Sequence, residues 1–116
     1  MMLEMFKAKL HRMRVTDADL NYAGSVGIDP ELYDQVGIIP NEKVQIYNIN
    51  NGKRFETYVI EGKRGSRECT LNGAAARMAE IGDLVIIVAF AYMSPEEAAT
   101  HTPKVLVVDE NNEPLA

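Results

Sequence analysis

The sequence predicts a mainly β fold, a compact barrel with short helical plugs, and three observations carry that prediction. Stretches of alternating apolar and polar residues recur along the chain, which is the period of a strand with one buried face. Asn50-Asn51-Gly52 separates two of them, and Asn-Gly tolerates the positive φ angles of a type I′ hairpin turn. Leu84-Val85-Ile86-Ile87-Val88-Ala89-Phe90-Ala91-Tyr92 is apolar on both faces, as a central strand must be.

Each element follows in order. Residues 6–15 alternate, with Phe6, Ala8 and Leu10 on one face and Lys7, Lys9 and His11 on the other. Asp29-Pro30-Glu31 opens a short helix: Asp caps it, Pro fits its first turn and Glu suits the positive end of the dipole. Gly37 ends it, and Leu32 and Val36 anchor it. Pro40-Asn41 turns the chain into a strand over 43–49, and the hairpin returns it over 53–60. There Arg54, Glu56, Tyr58 and Ile60 share one face, and Phe55, Thr57 and Val59 the other. Arg54 and Tyr58 then stand roughly 13 Å apart, close enough for both to reach one small ligand. A turn over 62–66 leads to a strand over 67–71. Residues 74–79 read as helical, with Asn72 or Gly73 as cap and Gly82 as stop. Such a start leaves backbone N–H groups with little side-chain cover, ready for a carboxylate. Ser94-Pro95-Glu96-Glu97 is a capping box for a helix ending near Thr100. Residues 105–108 form the last strand, and 110–114 read as a frayed tail.

Composition bounds the function. With 116 residues there is room for one domain, 1–116, and one modest core that association with further copies would reinforce. The balance of 12 basic against 17 acidic residues gives a net charge of -5, and no basic run is long enough to track phosphates, which argues against nucleic acid. The lone Cys69 forms no disulfide within the chain and suits a reducing compartment. No apolar run is long enough for a membrane helix, and the start lacks a signal peptide's apolar block, so the expected location is cytoplasmic.

The chemistry centres on Asn21-Tyr22-Ala23-Gly24-Ser25-Val26. Gly24 can adopt backbone conformations closed to other residues, and it leaves its carbonyl carbon sterically open. The Ser25 hydroxyl can attack that carbon, so that the amide rearranges to an ester. β-Elimination would then release a chain ending in Gly24 and leave dehydroalanine, which hydrolyses with loss of ammonia to a pyruvoyl group. That ketone can form a Schiff base with a substrate amine. A Gly-Ser pair in an ordinary turn is the plain alternative.

Several motifs at family spacing resolve the choice. They are Lys9-Leu10-His11-Arg12, Tyr22 with Gly24-Ser25, Asn51-Gly52-Lys53-Arg54-Phe55 with Thr57-Tyr58, Arg64-Gly65-Ser66-Arg67, Asn72-Gly73-Ala74-Ala75, and Gly82-Asp83-Leu84-Val85-Ile86-Ile87. Over nearly its whole length the chain resembles the pyruvoyl-dependent aspartate 1-decarboxylases, which convert L-aspartate to β-alanine and so supply pantothenate and coenzyme A. The resemblance implies a six-stranded double-psi β-barrel and a homotetramer with sites between subunits. It also implies a zymogen that cuts itself between Gly24 and Ser25 into 1–24 and 25–116. Ser25 becomes the source of the pyruvoyl cofactor, Tyr58 the proton donor, and Thr57 with the backbone of Gly73, Ala74 and Ala75 substrate contacts. Lys9, Arg54 and Asn72 lie in the same pocket, and His11, Tyr22 and Tyr47 are further pocket candidates. Tyr47 stands where many members carry Trp.

The chemistry needs no metal. Arg54 offers a planar fork and Lys9 a point charge for the two carboxylates of aspartate. Thr57 alternates away from Tyr58, so its hydroxyl fits polarising the Gly24 carbonyl during processing. Two other readings follow from the residues alone: a non-catalytic barrel used in binding or assembly, and a hydrolase with Ser25 as nucleophile and His11 as base. A separate processing factor is a further candidate partner.

Overall fold

A computed structural model describes residues 1–115. Eight strands form the sheet: β1 (Leu3–Arg14), β2 (Asp17–Asp19), β3 (Ser25–Ile28), β4 (Lys43–Asn48), β5 (Arg54–Glu61), β6 (Cys69–Asn72), β7 (Leu84–Met93) and β8 (Lys104–Val107). Two short helices, α1 (Pro30–Tyr33) and α2 (Pro95–Thr100), and 3-10 turns at Asp34–Val36 and Gly73–Met78 complete the fold. The strand order is β2-β6-β3-β5-β4-β7-β1-β8. Chain continuity closes it, because β1 runs on into β2 through Val15 and Thr16. Those two residues donate their backbone N–H groups to Asp83 and Cys69, each at 2.9 Å. One stretch of chain thus holds both sides of the sheet, and a small barrel results. Among the described residues no helix is long and apolar enough to cross a membrane.

Alternation fills the barrel. Leu10, Val26, Val44, Ile46, Val59, Leu71, Val85 and Ile87 are buried in one cluster with Leu32 and Val36. β7 lies between β1 and β4, as its two apolar faces require. Asp29 caps α1 by accepting from Glu31 N–H, and Ser94 and Glu97 form the expected capping box on α2.

The structure departs from the sequence reading in five places. Two strands add to the six that alternation marks, because β2 and β3 carry none: β2 is three residues aligned by β6, and every residue of β3 is buried. The hairpin exists, but Gly52 alone has positive φ, 77°, and its N–H bonds back to the Asn48 carbonyl, so the loop is longer than a type I′ turn. Phe6 does not follow Ala8 inward, since a β-bulge shifts the register between them and turns Phe6 onto the Lys9 side. A second bulge, between Leu10 and Met13, contains His11 and Arg12, the latter at φ 67°, so alternation no longer decides where His11 points. Finally, 110–114 is no frayed tail. Asn112 is buried, accepts from Arg14 N–H at 2.7 Å and donates to the carbonyls of Arg14 and Arg67 at 3.0 and 2.9 Å.

Candidate active site

Ser25 begins β3 and is only 1% exposed, while Gly24 before it lies in the open. The Ser25 hydroxyl donates to the Ala23 carbonyl at 3.2 Å and accepts from Asn72 Nδ2 at 3.1 Å. Ladder pairing explains the second bond, because Ser25 and Asn72 are opposite each other in the β3–β6 pair. Their neighbours Val26 and Leu71 point into the core, so Ser25 and Asn72 share the other face. Asn72 spends its side chain here and leaves the 3-10 turn at Gly73–Met78 without a side-chain cap.

Of the two glycines, Gly73 and not Gly24 has the unusual backbone. Gly24 lies outside the left-handed region, and a Cβ built on it would meet nothing within 4 Å. Its contribution is an exposed residue without a side chain, not a left-handed backbone. Gly73 is the residue at φ 65°, and a Cβ there would stand 2.7 Å from Gly24 Cα, 2.8 Å from Gly24 N and 2.9 Å from the Tyr22 carbonyl oxygen. Tyr22 itself is 57% exposed. A buried hydroxyl held by a neighbouring amide, beside an exposed glycine and a turn with no room for a methyl, fits a serine-derived pyruvoyl group at position 25.

β5 carries the next residues. Carrying the β3–β5 register back one step from Val26↔Val59 sets Ser25 level with Tyr58. Tyr58 points outward and lines a cavity of about 350 Å³ with Lys43, Glu56 and Thr57. Thr57 is half-buried and pairs with the buried Val44, on the face turned from Tyr58. Arg54 pairs with Tyr47, and its guanidinium carbon sits 3.6 Å from the centre of the Tyr47 ring. The Tyr47 hydroxyl donates to Gln45 Oε1 at 2.9 Å, which pins the ring beneath Arg54. Sequence reading passed over Gln45 as a site residue, although its place two residues before Tyr47 on one strand face is a signal for such a contact.

Lys9 and His11 stand apart from Ser25. Lys9 lines a cavity of about 260 Å³ with Phe6, Tyr47, Ile86, Val88 and Phe90, its ammonium 5.6 Å from the centre of the Phe6 ring. Burial first, then the charges of Lys9 and Arg12, lowers the His11 pKa, and its buried Nδ1 has no hydrogen-bond partner among the described residues. Within the sheet, β7, β4 and β5 separate β1 from β3. Neither bond of the Ser25 hydroxyl involves His11, so the serine-hydrolase reading loses its base. The chain therefore gathers Tyr22, Gly24, Ser25, Asn72 and Gly73, gathers Lys9, Tyr47 and Arg54, and sets Tyr58 and Thr57 between them.

Comparison with known proteins gives this arrangement a family. A family profile described as aspartate decarboxylase matches residues 1–115. A relative from Bacillus licheniformis named aspartate 1-decarboxylase is 62% identical over 109 residues, covering 94% of this chain and 86% of its own. One of the same name from Carboxydothermus hydrogenoformans is 60% identical over 112 residues, covering 97% and 88%. Another, from Caldicellulosiruptor saccharolyticus, is 57% identical over 112 residues, covering 97% and 88%. With the match running across every strand of the barrel, this chain belongs to the aspartate decarboxylase family of carboxy-lyases.

Proposed function

We propose that this chain cuts itself between Gly24 and Ser25, turns Ser25 into a pyruvoyl group, and decarboxylates L-aspartate to β-alanine and CO2. The observation that carries the reading is the buried Ser25 hydroxyl, held by Asn72 beside the exposed Gly24. In the first step Ser25 Oγ bonds to the Gly24 carbonyl carbon and the Gly24–Ser25 C–N bond breaks, giving an ester and a free amine. Loss of the residue-25 α-proton and cleavage of the Cβ–O bond release the Gly24 carboxylate. Water then replaces nitrogen at the α-carbon of residue 25, and ammonia leaves. Thr57 polarises the scissile carbonyl during the first step.

Once formed, the pyruvoyl carbonyl supplies an electrophile for the substrate amine and a sink for the electrons left by departing CO2. Everything else is done by side chains and backbone. Arg54, steadied on Tyr47, grips a substrate carboxylate through its planar fork, and Lys9 adds a compact charge. Asn72 and the backbone of Gly73, Ala74 and Ala75 orient the bound molecule. Tyr58, on the Ser25 face, returns a proton to the substrate α-carbon.

Lys9 opens onto a cavity that neither Ser25 nor Asn72 lines, which supports a site completed between copies, and the family resemblance supports a homotetramer. β-Alanine made here serves pantothenate and coenzyme A synthesis, and the location is the cytoplasm. Intact-mass measurement tests the proposal. It should find fragments 1–24 and 25–116, the latter lighter by one ammonia than a fragment starting with serine, and a net charge one unit more negative than -5. Ser25→Ala should stay uncut and inactive. A single uncut chain that is nonetheless active would overturn it.

A further inference from the structure

The residues on the two sides of the Gly24–Ser25 bond meet two neighbours in sequence, Gly73 and Asn72, and only one of these has a polar side chain. Asn72 binds the Ser25 hydroxyl, and Gly73 takes the backbone on the other side of the scissile bond. A methyl group on Gly73 would overlap three backbone atoms, Gly24 Cα, Gly24 N and the Tyr22 carbonyl oxygen, all within 2.9 Å. Backbone atoms cannot swing aside as the end of a long side chain can. The 22–24 segment would have to retreat by about 1 Å to restore ordinary packing distances.

We propose that Gly73 is a positioning residue for self-cleavage. Its missing side chain lets the 22–24 segment lie against the start of the Gly73–Met78 turn, which sets the Gly24 carbonyl carbon where Ser25 Oγ can bond to it as the Gly24–Ser25 C–N bond breaks. This rests on the cleavage reading above and assigns Gly73 a role before any substrate binds. Sequence reading placed the conformational demand at Gly24; the structure places it at Gly73, the only one of the two with φ in the left-handed region.

The test follows conversion of freshly purified full-length chain by intact mass over time. Gly73→Ala should cut about a hundredfold more slowly, the usual consequence of a 1 Å misplacement of reacting groups. Gly82→Ala is the control: Gly82 has φ 96° with nothing within 4 Å of a Cβ, so it carries the backbone cost without the overlap. It should be cut at the wild-type rate. Gly73→Asn separates the two effects further and serves if Gly73→Ala fails to fold, because Asn tolerates the left-handed region yet keeps a Cβ. It should be arrested as well, with circular dichroism and melting like those of Gly82→Ala. Cutting of folded Gly73→Asn or Gly73→Ala at the wild-type rate would overturn the proposal and leave the cleavage reading intact. An uncut wild-type chain would instead sink the cleavage reading itself.

Discussion

If the site is built between copies, two inactive chains should rescue each other. Lys9 on β1 and Ser25 on β3 have β7, β4 and β5 between them. Lys9 opens onto a cavity lined by Phe6, Tyr47, Ile86, Val88 and Phe90, and neither Ser25 nor Asn72 lines it. A Lys9→Ala chain keeps its own Ser25, and a Ser25→Ala chain keeps its own Lys9. When equal amounts assemble at random, a site needs its Ser25 from the first chain and its Lys9 from the second. Each condition is met half the time, so about a quarter of wild-type activity should return. Were both residues drawn from one subunit, no mixed assembly could contain an intact site. The assay is aspartate-dependent CO2 release from the co-refolded mixture, with mixed oligomers verified by native mass spectrometry. Mixed oligomers no more active than the two parents would refute the intersubunit site.

Three further outcomes test the packing on which the site rests. Asn112→Ala removes three hydrogen bonds to backbone groups at the end of β1 and at Arg67; urea melts at fixed protein concentration should show a loss of about 2–4 kcal/mol, against within about 0.5 kcal/mol for the exposed Asn111→Ala. Tyr47→Leu takes the platform from beneath the Arg54 guanidinium, so KM for aspartate should rise about tenfold with kcat little changed, while Tyr47→Trp restores the stack. Burial would raise the Asp29 carboxyl, but backbone N–H donors from Gly65, Arg67 and Glu31, with the Arg67 guanidinium, outweigh it and hold the pKa below its ordinary 3.8. That stability is present above the ordinary value and lost as pH falls through the folded one. Asp29→Asn breaks the buried pair with Arg67 and should cost about 3 kcal/mol at pH 7, and the share carried by the charge should fade only below about pH 4 in urea melts; fading near neutral pH would contradict the assignment.

What could be read in the sequence, and what could not, divides along a physical line. The apolar run of β7, the capping box at Ser94 and the cap at Asp29 are local signals, and the structure keeps all three. Phe6 is different, because the bulge that turns it outward is a property of the β1–β7 register and so of residues more than eighty positions away. β3 escaped notice because burial on every side erases the alternation by which strands are found. Asn112 read as tail because nothing in its own neighbourhood shows the backbone groups of Arg14 and Arg67 waiting for it. The glycines make the same point at the site itself. Either Gly24 or Gly73 could serve a turn, and only the approach of one to the other decides which of them excludes a side chain. Under the cleavage proposal the dipeptide is legible in the sequence, whereas the surroundings of Ser25 depend on pairing between β3 and β6.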